Sequence, residues 1–316
     1  MSDSPSISII TPVFNREDCI IRCLDSVAAQ YEWIDRHVVV DDGSSDRTAA
    51  LVEEYCRTHD KVDFYRMPEN RGTNAARNMG ISHVGSRFTM ILDSDDTLNE
   101  GAMRKIHEII SRYPRYGHYM FAASDMVPVY ERTPLLRGRE TAELTFADAL
   151  GRRFAGDFIH VILTATMKKF PFDEETRIFE GVNFLRFYRE AGKILYCNGV
   201  AVNRDRGRDD SVTFSAALTS KKALTRAWRA VKLRYEFFHD DYEKFELRSI
   251  LEKELKVLCM LSVALGERDY FLNLCGRLAS RRLKFVLKMI SACHCGRLLC
   301  WFIIAKYKFF VRRRND

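Results

Sequence analysis

Phe88-Thr89-Met90-Ile91-Leu92-Asp93-Ser94-Asp95-Asp96 is the stretch on which the reading of this chain turns. A short apolar run bounded by turn-type residues is the pattern of a central strand buried in a parallel sheet. Open α/β sheets bind ligands beyond the carboxyl ends of their strands, which is where the three acids would fall. Clustered carboxylates repel one another unless a cation is present. Oxygen-only sites suit Mg²⁺ or Mn²⁺, and substrate phosphates usually complete such shells. The stretch therefore points to a metal–diphosphate site. The plainer reading is an acidic loop that caps the next helix.

Toward the N-terminus the strand pattern recurs. Ser6-Ile7-Ser8-Ile9-Ile10 alternates and stops at Thr11-Pro12, a strand with a proline-bearing turn. Asn15 is placed to cap a helix with Glu17 and Asp18 in its first turn and Ile20, Ile21, Leu24, Val27 and Ala28 at helical spacing. His37-Val38-Val39-Val40 is a β-branched strand running into Asp41-Asp42-Gly43-Ser44-Ser45-Asp46, where Gly43 permits a tight turn. Ser45 or Asp46 can cap the helix that follows through Tyr55. Val62-Asp63-Phe64-Tyr65 is a third strand, and Asn70-Arg71-Gly72 a turn before a helix around Ala75 to Ile81. This alternation predicts a mainly parallel sheet flanked by helices on both faces. No GxGxxG follows the first strand and no P-loop is present, so the common dinucleotide and P-loop folds are excluded.

Toward the C-terminus the pattern loosens between about Arg112 and Thr213. Tyr119-Met120-Phe121-Ala122 extends the sheet, Leu144 to Leu150 reads as a short helix, and Ile194-Leu195-Tyr196 as a further strand. Phe179-Glu180-Gly181-Val182-Asn183-Phe184-Leu185 is a turn entering a helix that ends before Gly192, and Arg204 to Asp210 is a charged loop. From about Ser215 the chain reads as all helical, without proline. The expected division is an α/β catalytic domain over 1–214 and a helical extension over 215–316.

The 316 residues carry a net charge of +7, and it is unevenly placed. Arg277, Arg281, Arg282, Lys284, Lys288, Arg297, Lys306, Lys308, Arg312, Arg313 and Arg314 face the single acid Asp316, so the remainder is slightly acidic. A basic end on a near-neutral body suits an anionic surface. Leu298 to Phe310 is too short and too interrupted by Lys306 and Lys308 to span a bilayer. With Trp301, Phe302, Tyr307, Phe309 and Phe310 it has the pattern of a helix lying in a membrane interface rather than one binding nucleic acid. The plainer alternative is a helix packed on its domain with its charges solvated. The nine cysteines show no zinc framework and read as reduced thiols. Met1 to Ser6 is polar and unlike a signal peptide, so a cytoplasmic protein, peripheral at the inner face of the membrane, is expected.

Four motifs in order carry a resemblance. They are Ser8-Ile9-Ile10-Thr11-Pro12-Val13-Phe14-Asn15, Val40-Asp41-Asp42-Gly43-Ser44-Ser45-Asp46, Asn70-Arg71-Gly72-Thr73-Asn74-Ala75-Ala76-Arg77-Asn78-Met79-Gly80-Ile81 and Leu92-Asp93-Ser94-Asp95-Asp96. In these the chain resembles the inverting glycosyltransferase family 2, of GT-A fold and bacterial cell-surface polysaccharide type. The likeness is closest over residues 6 to about 100 and is absent beyond about 213. It implies that Thr11 and Asp42 contact a uracil or equivalent base, with Pro12 beside them, and that Arg77, Asp93 and Ser94 lie at the nucleotide-sugar. It implies further that Asp95 and Asp96 meet a Mn²⁺ or Mg²⁺ ion and the diphosphate. The donor would be a nucleoside-diphosphate sugar, the acceptor a saccharide or a lipid-linked one. The reaction would be a single displacement with inversion, a carboxylate deprotonating the acceptor.

The chain departs from the family at that base. The family usually has Glu-Asp at the start of a helix, and here the pair is Glu180-Gly181. Glu180 is the first candidate for the catalytic base, with Asp173, Glu174 and Glu175 as alternatives and lost activity as another. The resemblance also implies a diphosphate loop at Ser211-Val212-Thr213, with Arg208 where the family often has a histidine and Arg204 and Arg206 upstream. A metal-dependent glycosyltransferase is thus the main expectation, and a catalytically silent nucleotide-sugar-binding or scaffold relative the second. A nucleotidyltransferase is disfavoured, because it needs a glycine-rich loop after the first strand.

Overall fold

The computed structural model describes residues 5–177, 179–204 and 219–315, with side chains in the last helix through Lys308. The chain divides into two compact units, Met1–Gly207 and Arg208–Asp316.

In the first unit, strand β1 (Ile7–Val13) is buried at every residue. Helix α1 (Ile20–Ala28) follows, then β2 (His37–Asp41), α2 (Thr48–Cys56), β3 (Val62–Arg66), α3 (Thr73–His83) and β4 (Phe88–Ile91). All pairings among these four strands are parallel, with β1 between β2 and β4. Ile7, Ile9, Phe88 and Met90 face one core, and Ile10, Val38 and Val40 face another beneath α3. Alternation along each strand thus feeds both faces of the sheet. Gly80 lets α3 lie close on β1, because a Cβ there would stand 2.5 Å from Ile10 Cγ2.

Two local expectations are corrected. β1 does not stop at Thr11-Pro12 but continues to Val13. The last β1–β4 pair is Ile10 with Ile91, so the missing N–H of Pro12 costs no hydrogen bond to β4. Asn15 does not cap α1, which starts at Ile20. Its side-chain oxygen instead accepts from Ser45 N at 2.9 Å, and Glu17 accepts from Arg47 N at 2.9 Å. The amides of the neighbouring loop capture these side chains and lace the carboxyl ends of β1 and β2 together.

The second half of the sheet comes from β5 (Thr97–Leu98), α4 (Ala102–Arg112), β6 (His118–Ala123), α5 (Val127–Arg132), β7 (Thr141–Thr145), α6 (Phe146–Leu150), β8 (Ile159–Leu163), α7 (Thr164–Lys169), α8 (Gly181–Ala191) and β9 (Lys193–Asn203). Among the described residues nine strands form one mixed sheet in the order β3-β2-β1-β4-β8-β6-β9-β5, with β7 also paired to β9. The Leu144–Leu150 segment divides differently from its sequence pattern. Thr145 ends β7 and caps α6 in a reciprocal capping box with Asp148, so the helix begins at Phe146.

The second unit is all helical where it is described: α9 (Lys221–Lys244), α10 (Arg248–Leu265), α11 (Arg268–Cys275), α12 (Arg281–Ala292) and α13 (Gly296–Asn315). Tyr235, Leu255, Leu258, Phe271 and Leu287 form one core, and Leu224, Leu261, Cys300 and Ile303 another. Trp228 Nε1 donates to Ser262 Oγ at 2.9 Å, tying α9 to α10.

Candidate active site

The neighbours of β1 lie on opposite sides, so a crevice opens beyond the carboxyl ends of β1, β2 and β4, where such sheets bind ligands. The Asp93–Asp96 turn closes β4 there, with Asp96 N donating to Asp93 O at 3.1 Å. A pocket at this edge is lined by Arg77, Asp93, Asp96, Asp157, Glu180 and Arg204, among others. Two arginines, one on α3 and one directly after β9, thus meet four acids drawn from the turn after β4, the stretch before β8 and the residue before α8.

Arg77 lies on α3 with its side chain only 10% exposed. Nη2 donates to Asp93 Oδ1 at 3.2 Å, and Nη1 stands 3.6 Å from Glu180 Oε2. Burial pulls the Arg77 pKa down, but Glu180 and Asp93 more than offset this and hold it above the ordinary arginine value. Its guanidinium also sits over the Phe172 ring at 5.6 Å. Glu180 immediately precedes α8, and its carboxylate pKa is raised by burial, against the lowering effect of Arg77. Arg77 therefore spans two acids that lie far apart in the sequence, one after β4 and one before α8.

Of the four acids weighed as the base, Glu180 is the one lining this pocket. Asp173 caps a short 3-10 turn by accepting from Thr176 N at 2.9 Å, and Glu174 pairs with Arg71 at 2.6 Å. Gly181 faces open space: a Cβ there would meet nothing within 4 Å. No steric demand therefore requires glycine where the family usually has aspartate.

Arg204, at the end of β9, is as buried as Arg77. It stands 3.7 Å from Asp96 Oδ2, 3.8 Å from Asp125 Oδ1 and 2.7 Å from Asp157 Oδ2. Burial pulls its pKa down, and Asp157, Asp125 and Asp96 more than restore it. The sequence placed Arg204 in a charged loop, but the structure makes it the shared cation of three carboxylates. Asp125 and Asp157 carried no motif that could have flagged them. His160 on β8 also lines the pocket, stacked on Phe184 at 4.2 Å and paired with His118 at 2.9 Å. Burial, with Arg204 nearby, pushes the His160 pKa down to about 3, so the ring is neutral. A lone histidine inside an apolar strand was the only signal for it.

The other expected residues divide. Asp42 is buried, and its two oxygens accept from Arg71 N and Gly72 N, each at 2.7 Å. Burial raises its pKa, and those two amides oppose the rise. In this state Asp42 clamps the Asn70-Arg71-Gly72 turn. Thr11 is fully buried and its hydroxyl is paired with His37 Nε2 at 2.9 Å, so its side chain does not line the pocket. Pro12 is buried within β1 beyond the β4 pairing. Ser94 is buried in the acidic turn, with its carbonyl 3.7 Å from Cys19 Sγ. Arg208 and Ser211 lie outside the described residues.

Among the described residues no group of three or more His, Cys, Asp or Glu is disposed to hold a metal alone. Mg²⁺ is commonly held by one or two carboxylates, with substrate phosphates completing the shell. Asp95 and Asp96, adjacent oxygen donors at the end of β4, fit that requirement. Asp95 is half-buried, and its carbonyl accepts from Arg22 Nη2 at 2.9 Å.

Comparison with known proteins agrees with this geometry. Residues 8–167 match the model of the family described as Glycosyl transferase family 2. A GalNAc(5)-diNAcBac-PP-undecaprenol beta-1,3-glucosyltransferase of Campylobacter jejuni is 27% identical over 258 residues, 80% of this chain and 76% of that one. Succinoglycan biosynthesis protein ExoO of Rhizobium meliloti is 36% identical over 104 residues, 33% of this chain and 29% of that one. Crystal structures of S. aureus TarS share the fold. The longer gives a TM-score of 0.63 at 19% identity, covering 95% of this chain and 54% of that one. TarS 1-349 in complex with UDP-GlcNAc gives 0.61 at 17% identity, covering 98% and 92%. The mixed sheet flanked by helices is the GT-A-like fold, and the motifs at its crevice fall within the matched half. The chain belongs to glycosyl transferase family 2 and is a glycosyltransferase.

Proposed function

We propose that this enzyme is a metal-dependent, inverting transferase that moves a sugar from a UDP-sugar to a saccharide or lipid-linked acceptor in the synthesis of a surface polysaccharide or glycoconjugate. The observation that carries the reading is the Glu180–Arg77–Asp93 array at the end of β4. Glu180 takes the proton of the acceptor hydroxyl as its oxygen attacks the anomeric carbon from the face opposite the diphosphate. The bond from that carbon to the diphosphate breaks, and the nucleoside diphosphate leaves with its electron pair. Burial makes Glu180 more basic than an ordinary glutamate, which suits a general base. Arg77 keeps Asp93 and Glu180 from repelling one another and orients both. A divalent ion held by Asp95 and Asp96 would neutralise charge on the leaving diphosphate. The UDP-GlcNAc complex of TarS supports a uridine donor. The undecaprenol-linked glycan in the name of the Campylobacter jejuni relative supports a lipid-linked acceptor.

Calorimetric titration with UDP, GDP and CDP, with and without Mn²⁺, tests the donor site in wild type and Asp95→Asn. Metal-dependent UDP binding lost in the variant is expected, and no binding by any of the three nucleotides would overturn the reading. Glu180→Gln should bind donor and fail to turn over, and full transfer by that variant would refute its role as base. Gly181 favours one other reading, a donor-binding relative without turnover. That reading predicts donor binding with no transfer by the wild type and a gain of transfer in Gly181→Asp.

A further inference from the structure

Helices α12 and α13 are apolar on two faces, and only one of these is buried. On α12, Leu287 is buried in the helical core with Leu283 and Ile290 packed against it, whereas Phe285, Val286 and Met289 are exposed. On α13, Cys300 and Ile303 are buried, whereas Leu298, Trp301 and Phe302 are 69%, 69% and 62% exposed. A helix that is hydrophobic all round is normally covered on all sides. Contiguous exposed apolar surface of this kind marks a contact with a protein or a membrane.

The bend between the two helices is built in. No single helix among the described residues is long and apolar enough to cross a membrane; the described parts of α12 and α13 are so only when taken together, and they are bent by 116° at the break between them. Gly296 begins α13 directly against α10, since a Cβ there would lie 2.2 Å from Val263 O. The pair is therefore held as a wedge rather than a straight span.

The charges select the partner. Between Arg281 and Lys308 the sequence has seven basic residues and no acid. Arg281, Arg282, Lys288, Arg297, Lys306 and Lys308 are exposed beside the apolar side chains. Basic residues around exposed aromatic and aliphatic side chains complement an anionic lipid interface, where each adds to binding and the apolar groups enter the acyl boundary. A nucleic acid would use the charges and leave the apolar face in water.

We propose that the α12–α13 wedge is a peripheral docking surface for an anionic bilayer, entered by Phe285, Val286, Met289, Leu298, Trp301 and Phe302. The proposal rests on the helical unit and is independent of the donor site. The test is co-sedimentation of the full chain with vesicles of phosphatidylethanolamine and phosphatidylglycerol, compared with vesicles of phosphatidylcholine alone. Binding to the anionic vesicles that weakens with added salt is expected. Trp301→Ser and the double variant Arg282→Gln/Lys288→Gln should each weaken partitioning by about tenfold or more. All the altered side chains are exposed, so melting and UDP binding should be unchanged. Failure to sediment with anionic vesicles, or equal binding to neutral ones, would overturn the proposal. So would light scattering that shows a stable dimer dissociated by Trp301→Ser, which would assign the face to a second copy of the chain.

Discussion

Removing the positive charge of Arg77 tests the proposed mechanism most directly, because that charge is coupled to the proposed base. Arg77→Met keeps an aliphatic side chain over Phe172 and deletes the guanidinium. A unit charge pair at the observed 3.6 Å interacts by about 1 kcal/mol in water and by about 4–5 kcal/mol at an effective dielectric of 20. Glu180 is 34% exposed, so solvent screening places the coupling toward the lower figure, about 1.5 kcal/mol. Arg77 holds the Glu180 pKa down, so losing that attraction raises it. The newly unshielded repulsion from Asp93 acts in the same direction. A base must be deprotonated to act, so a higher pKa means activity is lost at a higher pH as the solution is acidified. The assay is the pH profile of kcat/KM for sugar transfer. Its acidic limb should move to higher pH in Arg77→Met and much less in Arg77→Lys, which keeps the charge. An unmoved limb in folded Arg77→Met protein would refute the coupling and, with it, Glu180 as the group that titrates.

Two further predictions concern the frame around the site. Asp42→Ala removes both acceptors of the Arg71 and Gly72 amides and should cost about 3 kcal/mol, lowering the melting midpoint by roughly 6–12 °C; an unchanged midpoint would mean the clamp contributes nothing. His37 and His160 are buried and have their pKa pushed down to about 3, so they stay neutral in the folded chain while their unfolded counterparts protonate below about 6.5. Stability is then present above that pH and falls as pH drops toward 3, by up to about 1.4 kcal/mol per pH unit for each ring. Denaturant midpoints between pH 4.5 and 7 should show this slope, and His160→Phe should flatten it; an identical slope in that variant would sink the account.

The sequence was legible wherever the controlling force is local. Burial period and β-branched runs set β1 to β4 and the helices between them. Turn chemistry set the Asp41–Asp46 and Asn70–Gly72 loops. Glycine after Glu180 and helical spacing to Gly192 set α8. The motif order also carried the family, because its acids and arginine recur at fixed places on a fixed scaffold. The boundaries misread at Asn15 and Leu144 share a cause. At both, a polar side chain had a nearer partner than the one its position implied, the Ser45 amide in one case and the Asp148 capping box in the other.

What only the tertiary structure decided were the partners of the charged and polar groups. Thr11 and Asp42 occur in the right motifs, yet His37 takes the Thr11 hydroxyl and two backbone amides take the Asp42 carboxylate. Arg204 lies more than a hundred residues from Asp96, and nothing local shows that the pairing of β9 with β5 and β6 returns it to that turn. β8 enters between β4 and β6 antiparallel to both and carries His160 to the pocket wall. Such pairings depend on how the sheet closes in space, and local periodicity records burial and element type without recording which distant charge will stand opposite. The sequence by itself thus determined the family, the first four strands and the acidic turn, and it ranked Glu180 first among the candidate acids, whereas only the fold set the Glu180 carboxylate beside Arg77 in the pocket.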